Sequence, residues 1–128
     1  MLDTSAYSAF MRGHPKVVED VQLADEIYLN PIVLGELLAG FSKGKRGRKN
    51  QGELNEFLAS ARVQFVDIDE GTSARYSVIL NSLWKAGTPI PTNDVWIAAS
   101  AMRHSLQILT SDVHYLKVSQ VIVEQFSV

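Results

Sequence analysis

Short apolar runs alternate with stretches of helical apolar spacing along the whole chain. The runs at residues 27–29, 63–68, 106–109 and 121–123 predict strands, and Met1 and Leu2 form a very short first one. Helical spacing predicts helices over residues 5–11, 16–23, 31–41, 54–58, 72–84 and 92–104. This alternation predicts an α/β fold, in which helices cover both faces of a parallel sheet of four or five short strands.

Several local features refine this prediction. Pro31 suits the first turn of a helix, and Thr92 or Asn93 is expected to cap the helix that follows the Pro-rich connection. The glycine-rich and basic stretch 40–52 is predicted to be a loop or the entry to a helix. In the 72–84 helix, the residues expected to face the core are Tyr76, Ile79, Leu80, Leu83 and Trp84.

The length and composition are those of one soluble domain. The 128 residues are 46% hydrophobic and 20% charged, which favours an ordered globular protein over a disordered one. There is no cysteine, so disulfides and thiolate metal sites are excluded. We find no secretory signal pattern and no apolar run of membrane-spanning length, and therefore expect residues 1–128 to form a single cytoplasmic domain that does not contact a membrane.

Acidic residues stand where a parallel sheet gathers ligands. Asp3 and Asp112 directly follow predicted strands, and Asp94 follows the Pro-rich connection. Glu36 lies beside the apolar face of its helix, as a residue lining a cleft does. The small polar neighbours suited to orienting these carboxylates are Thr4, Ser5, Thr92, Asn93, Thr110 and Ser111. Each acid taken alone is more readily explained as a helix cap, a turn residue or a solvated position than as part of a site.

A cluster of carboxylates calls for a cation. Two unit charges about 4 Å apart repel by about 4 kcal/mol at an effective dielectric constant near 20. Hard oxygen ligands select Mg²⁺ or Mn²⁺, which can orient water for attack on a phosphodiester. No histidine has metal-ligand spacing, although His114 is close enough to Asp112 in sequence to reach the same site.

The net charge of −2 argues against a general polyanion binder. The positive charge is concentrated in one segment, whose basic residues are Lys43, Lys45, Arg46, Arg48 and Lys49. This segment could neutralise the phosphates of a nucleic acid, and a solvated basic loop is the alternative interpretation.

Four short motifs, in this order, resemble the PIN-domain family, and most closely its VapC toxins. They are Leu2-Asp3-Thr4-Ser5, then Gly35-Glu36-Leu37 with Gly40-Phe41 and the basic stretch, then residues 92–99 (TNDVWIAA), and finally Leu109-Thr110-Ser111-Asp112. They cover nearly the whole chain. Only Met1 and Leu2 precede Asp3, whereas family members have several apolar residues there, so either the first strand is shorter than usual or the sequence starts late within it.

The resemblance implies a three-layer α/β/α sandwich and an Mg²⁺- or Mn²⁺-dependent endoribonuclease. It also implies a homodimer, and inhibition by a small antitoxin protein whose tail enters the active-site groove. Carried over by motif, the acidic metal-site residues are Asp3, Glu36, Asp94 and Asp112, supported by Thr4, Ser5, Asn93 and Ser111. RNA is then expected to contact Lys43, Lys45, Arg46 and Arg48.

Two other classes of function remain open from the sequence. One is an Mg²⁺-binding phospho-acceptor or phosphatase domain, which needs a nucleophilic aspartate and a lysine at a strand end; no lysine closely follows a predicted strand. The other is a non-catalytic binding module, in which the acids are structural.

Overall fold

The computed structural model describes residues 1–128, with six α-helices, one 3-10 helix and four strands. The helices are α1 (Thr4–Met11), α2 (Pro15–Leu23), α3 (Pro31–Lys43), α4 (Gly47–Ala59), α5 (Glu70–Ala86) and α6 (Thr92–Arg103). The strands are β1 (Ile27–Leu29), β2 (Val63–Phe65), β3 (Ile108–Thr110) and β4 (Val123–Gln125), and the 3-10 helix is Val113–Lys117. No helix is both long enough and apolar enough to cross a lipid bilayer.

The strands form two parallel pairs that the first residues of the chain connect. β1 pairs with β2 and β3 pairs with β4, each pair in parallel register. Leu2 forms a parallel bridge with Leu109, and its backbone N–H donates to the carbonyl of Tyr28 in β1. The segment Met1–Asp3 thus lies between the two pairs and hydrogen-bonds to both, although it is too short to count as a strand. The α/β fold with short parallel strands is confirmed.

The ends of several elements are fixed by side-chain caps. Asp3 caps α1 and Asp69 caps α5, each by accepting a hydrogen bond from a backbone N–H in the first helical turn. Helix α5 ends at Gly87, whose φ of 68° lies in the left-handed region that glycine adopts without strain. The predicted cap at Thr92 or Asn93 is wrong, because α6 begins at Thr92 after Pro91 and has no side-chain cap.

Asn30 ties the central helices together from inside the core. It is fully buried, and its Oδ1 accepts the backbone N–H of Val33 at 3.0 Å, which caps α3. Its Nδ2 donates to the hydroxyl of Ser100 in α6 at 2.8 Å. Because its hydrogen-bonding groups are satisfied, this buried amide fixes α3 against α6 without the cost of an unpaired polar group. These two helices carry Glu36 and Asp94.

The core is continuous from the sheet to the helices on either side. Its largest fully buried aliphatic side chains include Leu29, Leu54, Ile79, Ile97 and Ile108. Complete burial of one such side chain contributes about 1.5–3 kcal/mol. Tyr7 in α1 packs edge-to-face on Phe57 in α4, with ring centroids 5.2 Å apart. The site-bearing helices therefore rest on a well-packed interior.

The structure corrects several local predictions. The stretch 40–52 is mostly helical, because α3 continues to Lys43 and α4 begins at Gly47. The second strand is shorter than predicted. The third strand begins two residues later and ends one residue later than its apolar run indicated, and the fourth lies two residues later at both ends. Trp84 does not face the core: it is 64% exposed, whereas Leu83 beside it is 2% exposed. Helix α5 packs mainly on α6, which buries only a narrow stripe.

Candidate active site

The four acidic residues singled out by sequence line one cavity beyond the carboxyl ends of the strands. The cavity has a volume of about 310 Å³. Its lining residues are Asp3, Thr4, Ser5, Ser8, Glu36, Asp94, Ile97, Asp112 and Tyr115. They come from α1, α3, α6 and the segment after β3, so folding gathers acids that are far apart in the sequence.

Asp3 is the most enclosed of the four acids, at 4% exposure. Its Oδ1 accepts the backbone N–H of Ala6 at 2.9 Å and the hydroxyl of Ser5 at 2.6 Å. Its Oδ2 accepts the hydroxyl of Thr110 at 2.5 Å, which links α1 to the end of β3. Burial raises the pKa of Asp3; these hydrogen bonds oppose that rise, and the charge of Asp112 adds to it.

Glu36 projects from α3 and is held by two other helices. The hydroxyl of Thr4 donates to Oε1 at 2.5 Å. The side-chain amide of Asn93 in α6 donates to Oε2 at 3.3 Å. A glutamate side chain has several rotatable bonds, and contacts to both of its oxygens restrict the orientation in which a ligand meets it.

Asp94 lies in the first turn of α6, where the helix dipole favours a negative charge. Its side chain is 14% exposed. His114 Nδ1 lies 2.9 Å from Oδ2, and the hydroxyl of Tyr115 donates to Oδ1 at 3.3 Å. Burial raises the pKa of Asp94; the hydrogen bond from His114 lowers it, and the neighbouring charge of Asp112 raises it.

Asp112 caps the 3-10 helix at the edge of the cavity. Its Oδ1 accepts the backbone N–H of His114 at 2.9 Å and lies 3.1 Å from the Nδ1 of that residue. Its own backbone N–H donates to the hydroxyl of Thr110 at 2.9 Å. One ligand atom from each of Asp94, Asp112 and His114 lies within 4.8 Å of the other two, which is a spacing that could hold a metal ion.

The donor set fits a hard divalent cation. Carboxylate oxygens dominate the cavity, and Mg²⁺ and Mn²⁺ prefer such ligands. Burial raises the pKa values of Asp3 and Asp94, because ionising a carboxyl group in this cavity costs free energy that the hydrogen bonds offset only in part. A divalent cation supplies that offset, so the chemistry of the residues and the energetics of the site agree.

Three of the four residues expected to support the acids do so through their side chains, and three further residues contact the acids as well. Thr4, Ser5 and Asn93 each donate a hydrogen bond to one of the acids. Ser111 takes part through its backbone, since its N–H donates to the hydroxyl of Ser5 at 3.0 Å. The structure adds Thr110, His114 and Tyr115, each of which contacts an acid of the cavity.

Sequence signals for these three residues were unequal. Thr110 is a small polar neighbour of Asp112 in the sequence, and His114 is near enough to Asp112 in the sequence to reach the same site. Tyr115 gave no such signal, because it is 1% exposed and its apolar ring has the pattern of a core residue. Burial, together with the charges of Asp94 and Asp3, raises the pKa of its hydroxyl, which is therefore a neutral donor.

The basic segment lies outside the acidic cavity. Lys43 ends α3, Lys45 and Arg46 lie in the short connection that follows, and Arg48 is in the first turn of α4. All four are exposed, and none forms an ion pair within the chain. Their charges are therefore free to meet a ligand from solution.

A comparison with known families now places this architecture and site. The family model described as PIN domain matches residues 1–121, and the chain belongs to the PIN-domain family. Ribonuclease VapC2 of Rickettsia felis is 28% identical to the chain, with 98% of this chain and 96% of that protein covered. Ribonuclease VapC4 of Mycobacterium tuberculosis is 32% identical over 70% of this chain and 69% of its own length.

A solved structure extends the likeness to three dimensions. The fold is similar to that of VapBC2 from Rickettsia felis bound to a DNA fragment from its promoter, with a TM-score of 0.86 and 27% identity. That alignment covers 98% of this chain and 96% of the other. The predicted resemblance to VapC toxins is confirmed.

Proposed function

We propose that this chain is an endoribonuclease that hydrolyses RNA phosphodiester bonds with the help of Mg²⁺ or Mn²⁺, and that it is the toxin of a toxin–antitoxin pair. The observation that carries the proposal is the convergence of Asp3, Glu36, Asp94 and Asp112 on one cavity. Relatives named as VapC ribonucleases support the reaction class. We also take residues 1–128 to work as one nuclease domain.

The four acidic residues have two different roles in this proposal. Asp94 and Asp112 are candidate metal ligands, because their oxygens lie close together at the edge of the cavity. Asp3 and Glu36 border the same space and have their oxygens held by Thr4, Ser5, Asn93 and Thr110. The backbone N–H of Ser111 fixes Ser5 in turn.

When bound, a divalent cation lowers the pKa of water and offsets charge on the phosphodiester oxygens. This chain's residues supply the rest. A carboxylate that does not bind the cation would orient the attacking water and accept one proton from it as the water oxygen bonds to phosphorus. The bond from phosphorus to the departing ribose oxygen breaks in the same displacement, and that oxygen takes up a proton from solvent. Hydrogen bonds donated from α1, α6 and the end of β3 already hold these carboxylates, so little reorganisation is needed when the substrate arrives.

The basic segment supplies the attraction for RNA. Lys43, Lys45, Arg46 and Arg48 are exposed on the α3–α4 connection, where they can contact phosphates away from the cleavage point. In the rest of the chain acidic residues outnumber basic ones, so it repels a polyanion, and the contacts at the basic segment also orient the RNA strand. RNA is the substrate in this proposal, and the basic segment sets the affinity of the protein for it.

The partners follow from the relatives. Several structures similar to this fold are toxin–antitoxin complexes, including VapBC2 of Rickettsia felis, and a cognate antitoxin protein is the partner we assign. We further propose a homodimer. Light scattering on the purified chain tests that assignment, since a monomer at micromolar concentration would contradict it.

Replacing Asp94 with Asn tests the enzymatic proposal. The chain purified free of antitoxin should cleave RNA with Mg²⁺ or Mn²⁺ and lose activity in EDTA. Asp94→Asn should reduce cleavage by at least about 100-fold, the scale of losing a group that acts in the transition state. Asp25→Asn is the matched control, because Asp25 is exposed and outside the cavity. A folded Asp94→Asn variant with full activity would refute the proposal.

The phospho-acceptor alternative lacks support from the site. Such domains need a lysine beside the nucleophilic aspartate, and no lysine lines this cavity. Incubation with a phosphodonor should therefore leave the chain unlabelled.

A further inference from the structure

Two consecutive residues of the 3-10 helix, His114 and Tyr115, donate hydrogen bonds to the carboxylates of Asp112 and Asp94. The backbone N–H of His114 donates to Asp112 Oδ1, and the hydroxyl of Tyr115 donates to Asp94 Oδ1. Between these contacts, His114 Nδ1 lies 2.9 Å from Asp94 Oδ2 and 3.1 Å from Asp112 Oδ1. One imidazole nitrogen is therefore within hydrogen-bond distance of both carboxylates.

This arrangement matters because Asp94 and Asp112 come from different segments and carry like charge. Asp94 belongs to α6, whereas Asp112 follows β3, so no local backbone geometry fixes their separation. An N–H directed at Asp94 and lying 3.1 Å from Asp112 Oδ1 reduces the repulsion between the two carboxylates and restricts their relative orientation. Asp112 Oδ2 has no hydrogen-bond partner in the chain and remains free to bind a cation.

We propose that His114 is a positioning residue of the metal site: through its Nδ1 proton it holds Asp94 and Asp112 in the orientation that binds one divalent cation, and it does not itself bind the cation. Hard cations such as Mn²⁺ and Mg²⁺ prefer the oxygen ligands that the two aspartates offer. An imidazole that orients such ligands is an outer partner, and losing such a partner typically weakens metal binding by about 10–100-fold. This inference rests on the proposed metal-dependent function.

Calorimetric titration with Mn²⁺ tests the proposal on the whole, antitoxin-free chain. His114→Ala should weaken Mn²⁺ binding by about 10–100-fold while the melting temperature of the metal-free protein stays close to that of the wild type. His114→Asn should bind within a few-fold of the wild type, because the Asn amide places an N–H near the position of Nδ1. Val113→Ala is the matched control, since Val113 is 57% exposed in the same turn.

Electron spin-echo measurements on Mn²⁺-loaded wild type separate positioning from direct binding. The absence of imidazole nitrogen modulation supports the proposal, and its presence overturns it. Unchanged Mn²⁺ affinity in His114→Ala, with wild type binding normally, overturns this inference alone. Wild type that fails to bind Mn²⁺ at millimolar concentration overturns the metal-dependent function as well. Should His114→Ala not fold, weakened binding by His114→Asn or imidazole modulation in the wild type overturns the proposal.

Discussion

The hydroxyl of Thr4 donates a 2.5 Å hydrogen bond to Oε1 of Glu36 and so joins the first turn of α1 to the middle of α3. Asn93 holds the other oxygen of the same carboxylate from α6. Glu36 is consequently held by residues from two other helices, both of them far from it in the sequence.

Removing the Thr4 hydroxyl should impair catalysis without unfolding the protein. Thr4→Val keeps the shape of the side chain, but it leaves Glu36 Oε1 without its donor, so we expect kcat/KM for RNA cleavage to fall about 10–100-fold. Thr4→Ser restores the hydroxyl and should recover most of the activity. Steady-state cleavage of a short RNA measures the effect, and full activity in Thr4→Val would argue against a role for Glu36 orientation.

Asp3 should make the metal-free protein less stable as the pH rises. Because burial raises its pKa in the folded state, the folded protein binds this proton more readily than the unfolded chain. The stabilisation from protonation is therefore present below the ordinary aspartate pKa of about 4 and is lost as the pH rises through the raised value. Asp3→Asn carries no charge, so its stability relative to wild type should increase between about pH 4 and pH 7.

Urea unfolding in EDTA across that pH range measures this difference. Saturating Mn²⁺ should narrow the gap at neutral pH, because the cation stabilises the ionised wild-type site and gains less from the amide. A stability difference that does not change with pH would show that Asp3 carries no buried charge penalty.

Neutralising the basic segment should weaken RNA binding but spare the chemical step. For Lys45→Gln combined with Arg48→Gln, we expect KM to rise at physiological salt while kcat changes little, because these exposed residues lie outside the acidic cavity. Each lost phosphate contact should reduce the slope of log K against log salt by about 0.7 for single-stranded RNA. Lys85→Gln is the control, because Lys85 is an exposed residue of α5 outside the basic segment. An unchanged salt slope would contradict the assignment.

Two adjacent residues of α5 should differ sharply in their contribution to stability. Leu83→Ala empties a fully enclosed position and should cost about 2–5 kcal/mol of unfolding free energy. Trp84 is mostly exposed, and Trp84→Ala should cost below about 1 kcal/mol. Chemical denaturation compares them directly, and the reverse ranking would contradict the orientation of this helix.

The acidic cavity was predictable because each acid carries a local signal. Asp3 and Asp112 follow apolar strand residues, and parallel strands end at the same edge of a sheet. Glu36 borders the apolar face of its helix, and Asp94 occupies a first helical turn. The positions of these four therefore followed from periodicity and from the short motifs shared with the PIN-domain family.

Contacts that depend on tertiary geometry were not predictable in this way. The approach of His114 to Asp94 depends on how the 3-10 helix turns after β3, and no periodicity encodes that turn. Trp84 was misplaced for a related reason: an apolar stripe shows which side of a helix faces the core, but not how much of that side the neighbouring elements cover.

The pairing of Met1–Asp3 with β1 and β3 has a consequence for the order in which the parts of the site fold. The backbone of residues 1–3 hydrogen-bonds to Leu109, and the carboxylate of Asp3 is held by Thr110, 107 positions further along the sequence. These contacts form only after a long loop has closed, and the entropy cost of that closure delays them. Until then Asp3 has neither the strand that aligns it nor the hydroxyl that fixes it, so we expect the acidic cavity to assemble late in folding.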